Sequence, residues 1–145
     1  MKIYNVDALN RNSRFLRALG AGLAAAVVLG LACGSLIAAL RVEAAVLYIA
    51  VGWAVGEAIK KAGHGVGTKF CVLGAVMTLL SIMISDTIMF TGLGGFFQIL
   101  VHPSMWMSMI RTLLAMNLSL NISRILGLLF RICGVYYGYS NSGII

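Results

Sequence analysis

Acidic residues are scarce in this chain. Four Asp/Glu stand against eleven Lys/Arg, and only 10% of the 145 residues are charged. A soluble domain of this size carries about a quarter charged residues and is about half apolar. Here 61% of residues are hydrophobic and the mean hydropathy is +0.99. So few charged groups could not cover the surface of the chain in water. Cysteine is sparse too. Cys33, Cys71 and Cys133 are odd in number and form no CxxC, so neither a disulfide framework nor a zinc site is expected. Buried free thiols are the expectation. The only histidines, His64 and His102, fall in segments that the topology below places on opposite sides, so they cannot share a metal. The alternating segments of about 10 residues that mark a transmembrane barrel are missing. No cofactor and no metal centre is expected.

What the chain does have is long apolar runs, and a helix needs about 20 such residues to span hydrocarbon. The pattern predicts an all-α fold: a polytopic transmembrane helical bundle of four spans plus a short interfacial or re-entrant helix. Residues 1–145 then form one integral membrane domain. The spans cover about 15–40, 44–61, 70–92 and 122–139, and the short helix about 104–116. The net charge of +7 sits mostly at the ends of these runs. Basic residues there orient helices and meet anionic head groups. Membrane lipids are therefore the expected partners of that charge, and no nucleic acid. Arg14 and Arg17 before the first span, and Lys60, Lys61 and Lys69 in the next loop on that side, favour a cytoplasmic placement for both.

Punctuation within the runs is readable. Asn12 and Ser13 suit N-caps for the first span. Residues 41–43, "RVE", read as a tight external turn, and "GLGG" at 92–95 as the stop of the third span. The lone proline, Pro103, biases His102 away from helical geometry, so a break near 102 is expected. The other arrangement of that region is a fifth span over 96–116. "LGLACGS" loosely resembles a lipobox around Cys33. However, Gly30 stands where that motif has Leu, and the run continues to Leu40, so no cleavage is expected.

Small residues recur every four positions in the first span: Ala18, Gly22, Ala26, Gly30, Gly34, Ala38. Residues four apart lie nearly above one another on a helix. The result is a ridge on which another backbone can approach closely, as in GxxxG packing. Gly52 and Gly56 repeat the motif in the second span. Trp53 lies mid-span, away from an interface, and is expected inside the bundle.

Four charges are expected at membrane depth: Glu57, Asp86, Arg124 and Arg131. Such residues are costly there and face a partner or water. Counting depth from the span ends suggests Asp86 with Arg124 and Glu57 with Arg131. Alternatively Glu57 snorkels beside Lys60 and Lys61. Asp86 and His102 could together serve a membrane hydrolase, but nothing has the specificity of HExxH or GxSxG. "GEAIKKAGHGVGTK" fails as a phosphate loop. Lys69 follows Thr68 two residues after the last glycine, and the flanks are apolar helices, not a strand. It reads as an inner turn whose Lys60, Lys61 and Lys69 meet anionic lipid. The methionines around Trp106 (Met105, Met107, Met109, with Met116) do not share one helical face, and adaptable packing is expected of them.

The stretches "VGWAVGEAIKKAGHGVGTKF" and "FRICGVYYGYSN" resemble a class of small bacterial multi-span membrane proteins. In these a GW-x-V-G-x-A-I segment leads into a basic, glycine-rich cytoplasmic loop. The resemblance covers about a third of the chain. It implies a bacterial inner (cytoplasmic) membrane location, with both termini cytoplasmic, and transfers no site residue. The functional expectation is a non-catalytic structural or assembly subunit, in a homo-oligomer or beside another membrane subunit. The alternatives are a small channel or transporter using the intramembrane charges, and a membrane-embedded lipid enzyme.

Overall fold

A computed structural model describes residues 6–40, 46–63, 68–117 and 122–143, with side chains at 13–40, 46–63, 68–115 and 125–143. The turn at 41–43, the glycines at 65 and 67, His64 and the side chain of Arg124 lie outside the described residues. The described residues form five helices and no strand: α1 (Val6–Leu40), α2 (Val46–Gly63), α3 (Thr68–Val101), α4 (Ser104–Asn117) and α5 (Ile122–Ser142). The fold is all-α. Two helices, α1 and α3, are long and apolar enough to cross a membrane.

α1 begins at Val6, well before Asn12 and Ser13, so neither caps it. Extending an existing helix fixes one residue per hydrogen bond, whereas starting one is costly. A suitable cap residue therefore does not stop a helix that already runs through it. The break around Pro103 is as read. α3 ends at Val101 and α4 starts at Ser104, so no single helix covers 96–116. The His102 carbonyl accepts the Met105 N–H at 3.0 Å and closes the turn. Trp106 Nε1 then donates to the Ile99 carbonyl at 2.8 Å, tying α4 back onto the end of α3. "GLGG" breaks α3 into two helical stretches at Gly92. Gly92 has φ +71° and ψ 172°, and the helix resumes beyond this kink.

α3 is the central helix, touching all four others. α1 packs chiefly on α3, and α2 chiefly on α5. Close approaches give the directions. Gly22 and Gly34 of α1 face Met77 and Ile88 of α3, so these two helices run parallel. Gly52 and Gly56 of α2 face Gly134 and Gly138 of α5, also parallel. Gly74 and Thr78 of α3 meet Ser142 and Gly138 of α5, which is antiparallel.

The four-residue ridge of α1 winds as it rises. Each step of four advances about 40° beyond a full turn. Ala18 accordingly meets Gly63 of α2, Gly22 meets both Ile59 of α2 and Met77 of α3, and Gly30 and Gly34 face α3 alone. By Ala38 the ridge has rotated into exposure, and Ile37 takes the buried place.

A polar stripe of α3 is buried beside the apolar core, and much of the outside is apolar. Thr78, Ser81, Ser85, Asp86 and Thr87, all on α3, are buried. Leu16, Val28, Val46, Val72, Leu126 and Ile132 are more than half exposed. Trp53 is among the outward residues at 53% exposure, contrary to the expectation that it packs inside. Gly52 and Gly56 turn one face of α2 to α5, and Trp53 follows Gly52 by about 100° around the helix. Some of the buried hydroxyls bond back to their own helix. Thr78 donates to the Gly74 carbonyl at 2.8 Å and Ser142 to Gly138 at 2.7 Å. Such bonding satisfies a hydroxyl where no water reaches.

Candidate functional site

Three helices bring three polar side chains to one point. α3 supplies Asp86, whose side chain is 4% exposed. The Tyr48 hydroxyl of α2 donates to Asp86 Oδ1 at 2.8 Å. Arg131 Nη2 of α5 donates to the same oxygen at 2.9 Å. The Arg131 guanidinium also lies over the Tyr48 ring, 5.2 Å from its centroid. A carboxylate removed from water holds its charge only when hydrogen-bonded and paired. This one has a phenol and a guanidinium on one oxygen. The cation in turn gains the face of an aromatic ring.

The local sequence explains why these side chains can meet. Gly52 and Gly134 let α2 and α5 touch backbone to backbone, one turn from Tyr48 and Arg131. A Cβ on Gly52 would run into the Gly134 carbonyl. Gly74 and Gly138 do the same for α3 and α5. Two glycine seams thus draw α5 into the angle between α2 and α3.

On the outer side of the ion pair a groove of about 520 Å³ opens between α3, α4 and α5. Leu79, Met83, Leu114, Leu128 and Ile132 line it, and Asp86 and Arg131 are its only charged lining residues. Arg131 is the more open member of the pair, with 24% of its side chain exposed. The groove suits hydrocarbon, with one guanidinium edge at its floor. Among the described residues no three His, Cys, Asp or Glu side chains gather as a metal would require.

One sequence-derived pair differs from these contacts, and the other, Asp86 with Arg124, lies outside the described side chains. Arg131 bonds Asp86, not Glu57. Glu57 pairs with Lys61 one turn on, at 3.5 Å, with 33% of its side chain exposed, which is the snorkelling arrangement. The reason is a register offset. α5 ends level with Gly74, six residues into α3, and not level with Thr68. Asp86 then rises about 18 Å from Gly74, and Arg131 about 17 Å from Ser142, at 1.5 Å per residue. The two meet at one height. His102 sits exposed in the turn beyond the Gly92 kink. Gly22, Gly30 and Gly34 of α1 and Gly52 and Gly56 of α2 are buried. Lys61 and Lys69 are exposed, and Lys60 half-buried.

The sequence reading did not single out Tyr48. Its signal lay in spacing. Tyr48, Gly52 and Gly56 recur every four residues, so the hydroxyl shares the face of the glycine seam. Compared with known proteins, the chain matches no family model, no curated protein and no solved structure.

Proposed function

We propose that this chain is a four-span helical bundle of the bacterial inner membrane, with both termini cytoplasmic, acting as a non-catalytic structural or assembly subunit. The observation that carries the reading is the apolar outer surface of the bundle. Large apolar side chains point out along every helix, while Asp86 and the hydroxyl residues Thr78, Ser81, Ser85 and Thr87 are buried. In water that surface would drive association. In hydrocarbon it is simply solvated. The first spans of the proposal are α1, α2 and α3 up to Gly92, with α5 as the fourth. α4 and the end of α3 then form a hairpin at the far side.

Assembly, rather than chemistry, is favoured by how the charges are used. Asp86 is held by Tyr48 and Arg131 from two other helices, an arrangement that locks three helices in register. The channel or transporter reading draws on the part of Arg131 that faces the groove, yet the rest of that lining is apolar. Two measurements test the proposal. Membranes containing the protein are washed with alkaline carbonate, and retention is expected; release overturns the integral reading. Native mass spectrometry from mild detergent is expected to give an oligomer or a complex with a second subunit. A bare monomer overturns the assembly reading.

A further inference from the structure

Three helices deliver their basic residues to one end of the bundle. Phe15 of α1 and Phe70 of α3 stack edge to face, with centroids 5.8 Å apart. A Cβ on Gly63, the last residue of α2, would meet Ala18 of α1 at 2.8 Å and the Phe70 ring at 2.9 Å. The 14–18 stretch of α1, the last turn of α2 and the first turn of α3 therefore touch. That contact gathers Arg14 and Arg17 with Lys60, Lys61 and Lys69. Arg14, Arg17 and Lys69 are exposed, and 76% of the Lys61 side chain is exposed. The one acidic side chain described at this end is Glu57, on Lys61. Like charges brought this close repel, and an anion shared among them relieves the repulsion.

The walls beside the cations identify the anion. Leu16, next to Arg17, is 67% exposed, and Val72, three residues after Lys69, is 51% exposed. On α1 and α3 the cations thus stand within one helical turn of an outward apolar side chain. A soluble acidic partner would meet the cations but leave those walls in water. An anionic lipid satisfies both, with its phosphate on the cations and its chains along the walls.

We propose that this end of the bundle binds anionic phospholipid head groups across α1, α2 and α3, with Arg14, Arg17, Lys61 and Lys69 as the principal phosphate contacts. The inference rests on the membrane reading above. It assigns the lipid a structural task, since a head group bridging the three helix ends holds them together.

The test uses the full-length protein in nanodiscs of phosphatidylcholine alone, or of phosphatidylcholine with phosphatidylglycerol. Native mass spectrometry should show phosphatidylglycerol enriched about tenfold among retained lipids, and the thermal midpoint should rise in the mixed discs. Both effects should fall as salt is raised on the unaltered protein, which needs no variant to fold. Replacing Arg14, Arg17, Lys60, Lys61 and Lys69 with Gln should abolish the enrichment and the difference in midpoint between the two kinds of disc. Equal retention of the two lipids overturns the proposal. So does equal protection by soluble glycerol phosphate, which would make the site one for free phosphate. Failure to enter either disc overturns the membrane reading instead, and is distinguishable because no lipid comparison arises.

Discussion

Replacing Arg131 with Met should destabilise the bundle more than replacing Asp86 with Asn. The attraction across 2.9 Å is about 6 kcal/mol in an effective dielectric of about 20, and desolvation of both groups offsets much of it. What matters is the charge left behind. Arg131→Met leaves a carboxylate whose side chain is 4% exposed, and removing one partner of such a pair costs about 3–5 kcal/mol. Asp86→Asn keeps an acceptor for the Tyr48 hydroxyl. It leaves an arginine with 24% of its side chain exposed, over an aromatic ring and able to turn toward the groove mouth. That loss is about 1–3 kcal/mol. The difference, about 2 kcal/mol, is roughly thirtyfold in the unfolding equilibrium constant. The double variant Asp86→Asn with Arg131→Met should be more stable than Arg131→Met alone, because no buried charge remains. Equilibrium unfolding by SDS titration in mixed micelles, followed by far-ultraviolet circular dichroism, measures all three. Equal costs for the two single changes, or strictly additive costs in the double, would refute the reasoning.

Three further outcomes are read in the same assay. Tyr48→Phe removes the phenol bond to Asp86 and should cost about 1.5–3 kcal/mol, the range for a hydrogen bond to a charged group. Gly52→Ala places a methyl group on the Gly134 carbonyl and should cost about 1–3 kcal/mol by overpacking. In contrast Gly20→Ala, at a helical glycine with open space around it, should stabilise by up to about 1 kcal/mol; the same sign at both positions would contradict the packing described. Gly92→Ala forces a side chain into a backbone region that is essentially glycine-only and should cost about 1–3 kcal/mol, whereas Gly94→Ala, with nothing nearby, should not.

Helix identity was legible because apolar runs and a single proline leave few alternatives. α2, α4 and α5 lie close to where hydropathy and Pro103 put helices, whereas α1 starts earlier and α3 resumes beyond Gly92. The α1 ridge was legible as a ridge, but not its partners. A four-residue repeat says that a backbone comes close, and only the winding of the seam assigns Gly22 to α2 and α3 together. The pairing of Glu57 with Arg131 was misread for a related reason. Depth counted from span ends assumes flush ends, and α5 is offset from α3 by about 9 Å, six residues at 1.5 Å each. That offset is set by Gly74 and Gly138, whose meeting no hydropathy profile encodes. Trp53 was misplaced because mid-span position reports depth along a helix and says nothing of facing. The groove was illegible altogether, since it needs α4 to fold back beside α3 and α5.

Asp86 and Arg131 are 45 residues apart in the chain, and Tyr48 precedes Asp86 by 38. Synthesis runs at about 5–20 residues per second, so the acid is made about 2–9 seconds before its base. The phenol is already there when the carboxylate arrives. During that interval the half-built bundle holds an acid with a neutral donor, and the buried polar stripe of α3 has no α5 to close against. The last helix therefore does more than fill a remaining side of the bundle. Its arrival is the event that neutralises the interior, which makes the order of translation part of how this protein is put together.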